Sequence, residues 1–149
     1  MADIRLKRLA KLISEYCLEV KKNDWIYISG DYGVAKELFH EIYREIIRAG
    51  GNPFIVPGGN ELMEIYYKES SPEQLQWIPP VFEVYKDKLN GMVNIHGTSN
   101  TAALNNVDSV KQQIQAKAMG ESIMPHLMKR RAEGSLRGVV TLFSVGTGC

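Results

Sequence analysis

Three features of the sequence predict an α/β fold with a mostly parallel sheet, a Rossmann-like three-layer sandwich carrying helices on both faces. Short β-branched and aromatic runs alternate with longer segments of helical period. The first such strand passes through a glycine turn into a helix, which stops at Gly50-Gly51 just before Pro53, and a second strand follows at once. A β-α-β unit is therefore complete by residue 57, and such units are built right-handed with parallel strands. The length of 149 residues fits one domain with one sizeable core.

The elements follow in order. Residues 4–20 place Leu6, Leu9, Ile13, Tyr16 and Val20 on a helical stripe, which Leu12 and Cys17 widen. Asp3 is placed to cap this helix, Lys21 and Lys22 suit its negative end, and Asn23 can stop it. Residues 25–29 are β-branched and aromatic and read as a strand. Gly30-Asp31-Tyr32-Gly33 is a turn, and Val34, Leu38, Ile42 and Ile46 recur four apart on the second helix. Residues 54–56 form the second strand. Helix resumes from Glu61 to about Glu69, and Ser70-Ser71-Pro72-Glu73 looks like a cap with proline at the first helical position. Pro79-Pro80 punctuates the chain before a helix over 81–88 and a third strand over 91–95. A polar loop from Gly97 to Asn106 leads to a helix bearing Val110, Ile114 and Ala118, capped by Asp108 or Ser109. A helical turn from Pro125 to Glu133 precedes Gly134, and residues 139–143 are the last strand. No internal repeat, low-complexity tract or linker interrupts this order, so residues 1–143 read as one domain.

Composition narrows the function classes. Apolar residues make up 44% and charged residues 23%, the balance of a soluble globular protein. A net charge of +1 favours neither nucleic acid nor a charged membrane. Lys129, Arg130, Arg131 and Arg137 gather with only Glu133 to cancel them locally, which reads as a solvated helix face or an anion site. Cys17 and Cys149 give no disulfide framework, and this usage suits a reducing cytoplasm. The charged start of the chain, without an apolar run behind it, lacks the pattern of a signal peptide, and no run is long enough to span a bilayer.

Few motifs carry chemistry. In place of the dinucleotide fingerprint stands Gly30-Asp31-Tyr32-Gly33, where Tyr32 takes the position that close approach to a pyrophosphate reserves for glycine. Asp31 would repel a phosphate at the helix N-terminus. His40-Glu41-Ile42-Tyr43-Arg44 begins like a zinc motif, but arginine replaces the second imidazole. No nucleophile elbow occurs. The best polar cluster is Asn94, His96, Thr98, Ser99 and Asn100, at the C-terminal end of the third strand, the edge where open α/β sheets bind ligands. Asn94, His96, Thr98 and, on the first strand, Gly30 are the candidate ligand-edge residues, with His96 a donor or general base. The alternative is a loop whose polar side chains satisfy its own backbone.

Three segments resemble the amino-terminal region of the aminopeptidase T and aminopeptidase S family, the thermophilic metallo-aminopeptidases. They are Arg5-Leu6 through Val20-Lys21-Lys22-Asn23-Asp24; Glu41-Ile42-Tyr43-Arg44-Glu45 leading into Ala49-Gly50-Gly51-Asn52-Pro53; and Arg131 to Arg137 followed by Val139-Val140-Thr141-Leu142-Phe143. They run from end to end of the chain in family order. The resemblance implies a two-domain cytoplasmic hydrolase that removes N-terminal residues, leucyl residues among them, from peptides. It also implies two divalent metal ions, of the zinc or cobalt type, held by glutamates, histidines, an aspartate and a tyrosine. Those ligands lie in the family's C-terminal domain, beyond the matched region, so no catalytic or metal-binding residue carries over to this chain. The chain is accordingly expected to be the N-terminal domain, inactive alone and without a cofactor of its own.

Two departures qualify the match. Gly138 stands where the family usually has an aromatic residue, and residues 144–149 lack family character. That tail suggests a truncated or frame-shifted product, or an excised domain with a foreign end. A domain without its neighbour exposes apolar surface, so a homodimer is one expectation. A stand-alone module binding a small ligand at the sheet edge is another.

Overall fold

The carboxylate of Asp3 accepts a hydrogen bond from the Arg5 backbone N–H at 2.8 Å and opens helix α1, Ile4–Leu12. The computed structural model describes residues 3–97 and 107–142. The expected single helix over 4–20 is interrupted: Ile13–Cys17 forms a π-helical turn, closed by Leu18 N–H to the Ile13 carbonyl at 2.9 Å. This wider turn rotates the following side chains. Ala10, Ile13, Ser14 and Leu18 become the buried face, while Leu12 and Tyr16 are exposed, contrary to the stripe expected of them. Cys17 is half-buried against the core and is not a free thiol, so cysteine usage carries no argument about the compartment.

Strand β1 (Trp25–Gly30) enters helix α2 (Tyr32–Arg48), capped by Asp31 through the Val34 N–H at 3.2 Å. The helix ends as the paired glycines predict. Gly50, at φ 92, donates to Ile47, and Gly51 donates to Ile46, both at 3.0 Å. This is the Schellman arrangement, which needs a left-handed residue after the cap. Strand β2 (Asn52–Pro57) follows, then helices α3 (Asn60–Glu69), α4 (Pro72–Gln76) and α5 (Val81–Lys88). The Ser71–Gln74 capping box and Pro72 start α4 as expected. Strand β3 is Gly91–His96, helices α6 and α7 are Ser109–Ser122 and Met124–Glu133, and strand β4 is Arg137–Leu142. Asp108 caps α6, and Gly134 closes α7 at φ 79. Val110, expected on the packed face of α6, is exposed.

The four strands are all parallel in the order β2-β1-β3-β4. Their alternation separates two cores. Ile26, Ile28, Val93, Ile95 and Val139 pack under α1 and α2, with Leu38, Phe39, Ile42 and Ile46 fully buried. On the other face Trp25, Tyr27, Phe54 and Met92 meet α5 and α7. Each fully buried aliphatic or aromatic side chain contributes about 1.5–3 kcal/mol, so these layers dominate the folding energy. A third cluster, around Tyr67, Leu75 and Val107, joins α3, α4 and α6. Pro53 and Pro57 sit on edge strand β2, where a missing N–H costs least.

Candidate functional site

The strand order reverses direction at β1. The connection through α2 leads to β2 on one side, and β3 then returns to the other. The C-terminal ends of β1 and β3 therefore flank a topological switch point, where open α/β sheets form a crevice. Register pairs Ser29 with Asn94 and Gly30 with Ile95. The Ser29 hydroxyl donates to the Asn94 side-chain carbonyl, leaving the amide nitrogen as the donor end of Asn94. His96, exposed, lies on the same side of β3 one pleat further on. The structure thus brings Gly30, Asn94 and His96 to one edge; Thr98, with Ser99 and Asn100, lies outside the described residues.

Gly30 serves the backbone. At φ 137 it lies so close to β3 that a β-carbon would sit 1.9 Å from the Ile95 carbonyl oxygen. That oxygen accepts the Asp31 N–H at 3.1 Å, and the Gly30 carbonyl accepts the Gly58 N–H at 2.9 Å. Gly97 also packs closely on Val34, where a β-carbon would meet its side chain at 2.7 Å. The glycines hold β1, β3 and the first turn of α2 together, and Asp31 occupies the helix N-terminus that a phosphate would need. Below the crevice, on the α5 and α7 face, burial among Phe54 and Tyr85 pushes the Tyr27 phenol above its ordinary pKa, with Ser29 pulling the other way.

The partial zinc motif is taken up by structure. His40 bonds the Tyr32 hydroxyl at 2.8 Å, and Glu41 is buried with Arg44 Nε 3.8 Å away. His126 pairs with Asp87 at 2.8 Å. Among the described residues no three His, Cys, Asp or Glu side chains converge, so the residues present do not fit a metal centre. Three of the four basic residues at 129–137 are also engaged. Arg130 donates to the Lys86 and Ser135 carbonyls, Lys129 is 4.0 Å from Glu133, and Arg137 pairs with Glu19. The Arg137 partner is remote in sequence, which corrects the expectation of local cancellation by Glu133 alone.

Two concavities escape a linear reading. One, of about 380 Å³, lies between α1 and α2 and is lined by Ile4, Lys7, Arg8, Lys11, Arg44 and Arg48 together with Glu41 and Glu45. The other, of about 640 Å³, lies between α2 and β2, around Tyr32, His40, Tyr43, Ile47 and Ile55, and shares Arg44 and Arg48 with the first. The first is built from α1 and α2 alone, and the second reaches Tyr32 in the first turn of α2. The i, i+4 spacings Lys7/Lys11 and Arg44/Arg48 are the signal that marks this surface in the sequence.

No helix among the described residues is long and apolar enough to cross a membrane. Among solved structures the fold is similar to that of wild-type AmpT from Thermus thermophilus, at a TM-score of 0.73 and 18% identity. That likeness covers 95% of this chain and 36% of the AmpT chain, so the chain spans about a third of the length of that relative. No curated protein matches the sequence. The model of one family, described as thermophilic metalloprotease (M29), matches residues 2–146. By that match over nearly its whole length, the chain belongs to the thermophilic metalloprotease family M29.

Proposed function

We propose that this chain is the N-terminal domain of an M29 aminopeptidase and that it does not hydrolyse peptides by itself. The observation that carries the reading is the pair of coverages: 95% of this chain aligns with 36% of AmpT. The absence of a converging ligand set among the described residues supports it. In such peptidases a divalent metal polarises the scissile carbonyl and activates water, and here that work falls to residues beyond the matched third. The role left to this domain is to wall the substrate cleft, excluding water and limiting which peptides enter. Leucyl peptides in a cytoplasmic setting, and zinc- or cobalt-type ions, are the substrate, place and metals proposed for the longer protein. The test is hydrolysis of a chromogenic leucyl substrate by the purified chain with zinc or cobalt added, alongside calorimetric titration of each metal. Background turnover and no stoichiometric binding are expected. Metal-dependent turnover that a chelator abolishes would sink the reading.

A second reading rests on the meeting of Gly30, Asn94 and His96 at the switch point: a stand-alone module for a small ligand. A thermal-shift screen with nucleotides, peptides and metabolites discriminates. Ligand at a hundred times its dissociation constant adds about 2.7 kcal/mol of stability, which such a screen detects. A melt that nothing shifts leaves the first reading standing.

A further inference from the structure

We infer that the flank between helix α2 and strand β2 is a binding site for a small aromatic carboxylate, whose ring packs on Tyr43, Ile47 and Ile55 and whose carboxylate is held by Arg44 and Arg48. The concavity there measures about 640 Å³, within the range of about 300–1,000 Å³ that small-molecule sites occupy. It is basic and apolar at once. Strand β2 is the edge of the sheet, so no strand continues it beyond Ile55 among the described residues. Helical spacing puts His40, Tyr43, Arg44, Ile47 and Arg48 on one arc of α2. Tyr43 and Ile47 are 40% and 52% exposed, an aromatic and a branched aliphatic side chain held in water beside two guanidinium groups.

The polar groups of this flank have donors to offer. Glu41 lies 3.8 Å from Arg44 Nε, too far for a hydrogen bond, and Arg44 makes none among the described residues. Arg48 donates through Nη1 to Glu45 at 2.9 Å and keeps its other nitrogens. A guanidinium fork matches the plane of a carboxylate, and two forks one helical turn apart favour a single anion between them. At the other end the Tyr32 hydroxyl and His40 Nε2 are 2.8 Å apart. Whichever of the two donates, the pair keeps one donor in reserve, which suits an oxygen on the far side of the ring. The rise of α2 places His40 about 6 Å from Arg44 and about 12 Å from Arg48, the reach of one ring with a short acid chain. A charged polymer needs a longer row of cations than two arginines, and a bare inorganic anion leaves the apolar wall in water. The inference rests on this flank alone and is independent of whether the domain belongs to a larger peptidase.

Titration of the chain with phenylpropionate, followed through backbone amide chemical shifts, tests it. Saturable shifts are expected within residues 40–48 and at Ile55, with a dissociation constant on the order of 1 mM. Phenylpropionamide has the shape without the charge, and acetate has the charge without the ring; each binds at least about tenfold more weakly. Inorganic phosphate does the same, because it leaves the apolar wall uncovered. Arg44→Gln weakens phenylpropionate binding at least about tenfold. Ile47→Asp, a change at an exposed position, covers an Arg44 variant that fails to fold once Glu41 loses its neighbour, which circular dichroism reports. Its carboxylate competes for Arg44 and removes part of the apolar wall, so binding is lost. The inference is overturned if phenylpropionate gives no saturable shift or shifts that map to other elements. It is overturned equally if the amide or phosphate binds as tightly as the probe, or if a folded variant binds the probe like the native chain.

Discussion

Gly30 approaches Ile95 so closely that the two backbones leave no room for a side chain between them: a β-carbon at residue 30 would lie 1.9 Å from the Ile95 carbonyl oxygen and 2.7 Å from its carbon. The contact joins β1 to β3 where the sheet changes direction, and it fixes the position of Asn94 and His96 relative to the first turn of α2.

Gly30→Ala therefore meets two penalties. The backbone sits at φ 137, a conformation that L side chains rarely adopt, and the obstacle is main chain, which cannot rotate away. The expected loss is about 3 kcal/mol or more. Gly33→Ala, in the same turn, is the control: its β-carbon would meet only the Asp31 carboxylate at 3.6 Å, and helix propensity favours alanine by up to about 1 kcal/mol. Urea denaturation of both variants decides the matter. A Gly30→Ala midpoint close to that of the native chain contradicts the reading of this turn.

Tyr27 predicts how stability responds to alkali. Burial raises its phenol above the ordinary phenol range, so the folded state holds the proton more firmly than the unfolded chain does. A raised acid pKa stabilises the fold fully below the unfolded value and progressively less as pH climbs through the folded one. The stability difference between the native chain and Tyr27→Phe should be flat from neutrality to the onset of phenol ionisation, then shrink as pH rises further. Unfolding free energies measured across that range, with phenolate absorbance as a parallel signal, check it. A difference that grows with pH, or one that never changes, rules out the buried-phenol account.

What the sequence disclosed and what it hid divide along a physical line. Local signals were legible. Asp3, Asp108, the Ser71-Pro72 start and Gly50-Gly51 each act within a few residues of themselves, and each ends or begins its helix where the pattern says. The strands were legible because β-branched and aromatic residues cluster in them, and so was the C-terminal end of the third strand as a candidate edge; the strand order that makes it a switch point came only from the pairing of β1 with β3. The buried face of the first helix was not. A π-helical turn at Ile13–Cys17 shifts the period, and nothing in the apolar spacing announces an i to i+5 bond. Arg137 and Glu19 were unpairable on paper because only β4 packing beside the end of the first helical segment brings them together. The basic and apolar surface was hidden for the same reason: its cations come from α1 and α2, which the chain separates by a full strand.

Ser71 tests how much a five-residue helix owes to its cap. Its hydroxyl accepts the Gln74 N–H at 3.2 Å, and the Gln74 side chain accepts the Ser71 N–H at 2.9 Å. Helix α4 is too short to persist on propensity alone, yet it places Leu75 in the third core cluster, fully buried. Ser71→Ala should cost about 1 kcal/mol, and Ser71→Asp should retain most of that because its carboxylate also accepts from the third N–H. Chemical denaturation of the pair is the measurement. Equal losses in both variants would show that the hydroxyl's acceptor role is not what matters.

Gly138 carries the last prediction, because the resemblance to the aminopeptidases expects an aromatic there and the strand has nothing. The atoms nearest a β-carbon at this position are the end of the Arg131 side chain, its guanidinium carbon at 3.1 Å and its nitrogens at 3.3 and 3.4 Å. Arg131 is exposed, and the end of a long side chain can withdraw by a few tenths of an ångström at little cost. The backbone has no positive φ at residue 138, so an L side chain fits its conformation. Glycine inside a strand loses more freedom on folding than any other residue, and alanine recovers about 0.5–1 kcal/mol. Gly138→Ala should therefore stabilise the domain by about 0.5 kcal/mol, with the small displacement of Arg131 offsetting the rest. Thermal and urea melts of the variant check the sign. A clear destabilisation would mean that Arg131 is held over the glycine rather than resting on it, and would make the missing side chain a requirement of this strand.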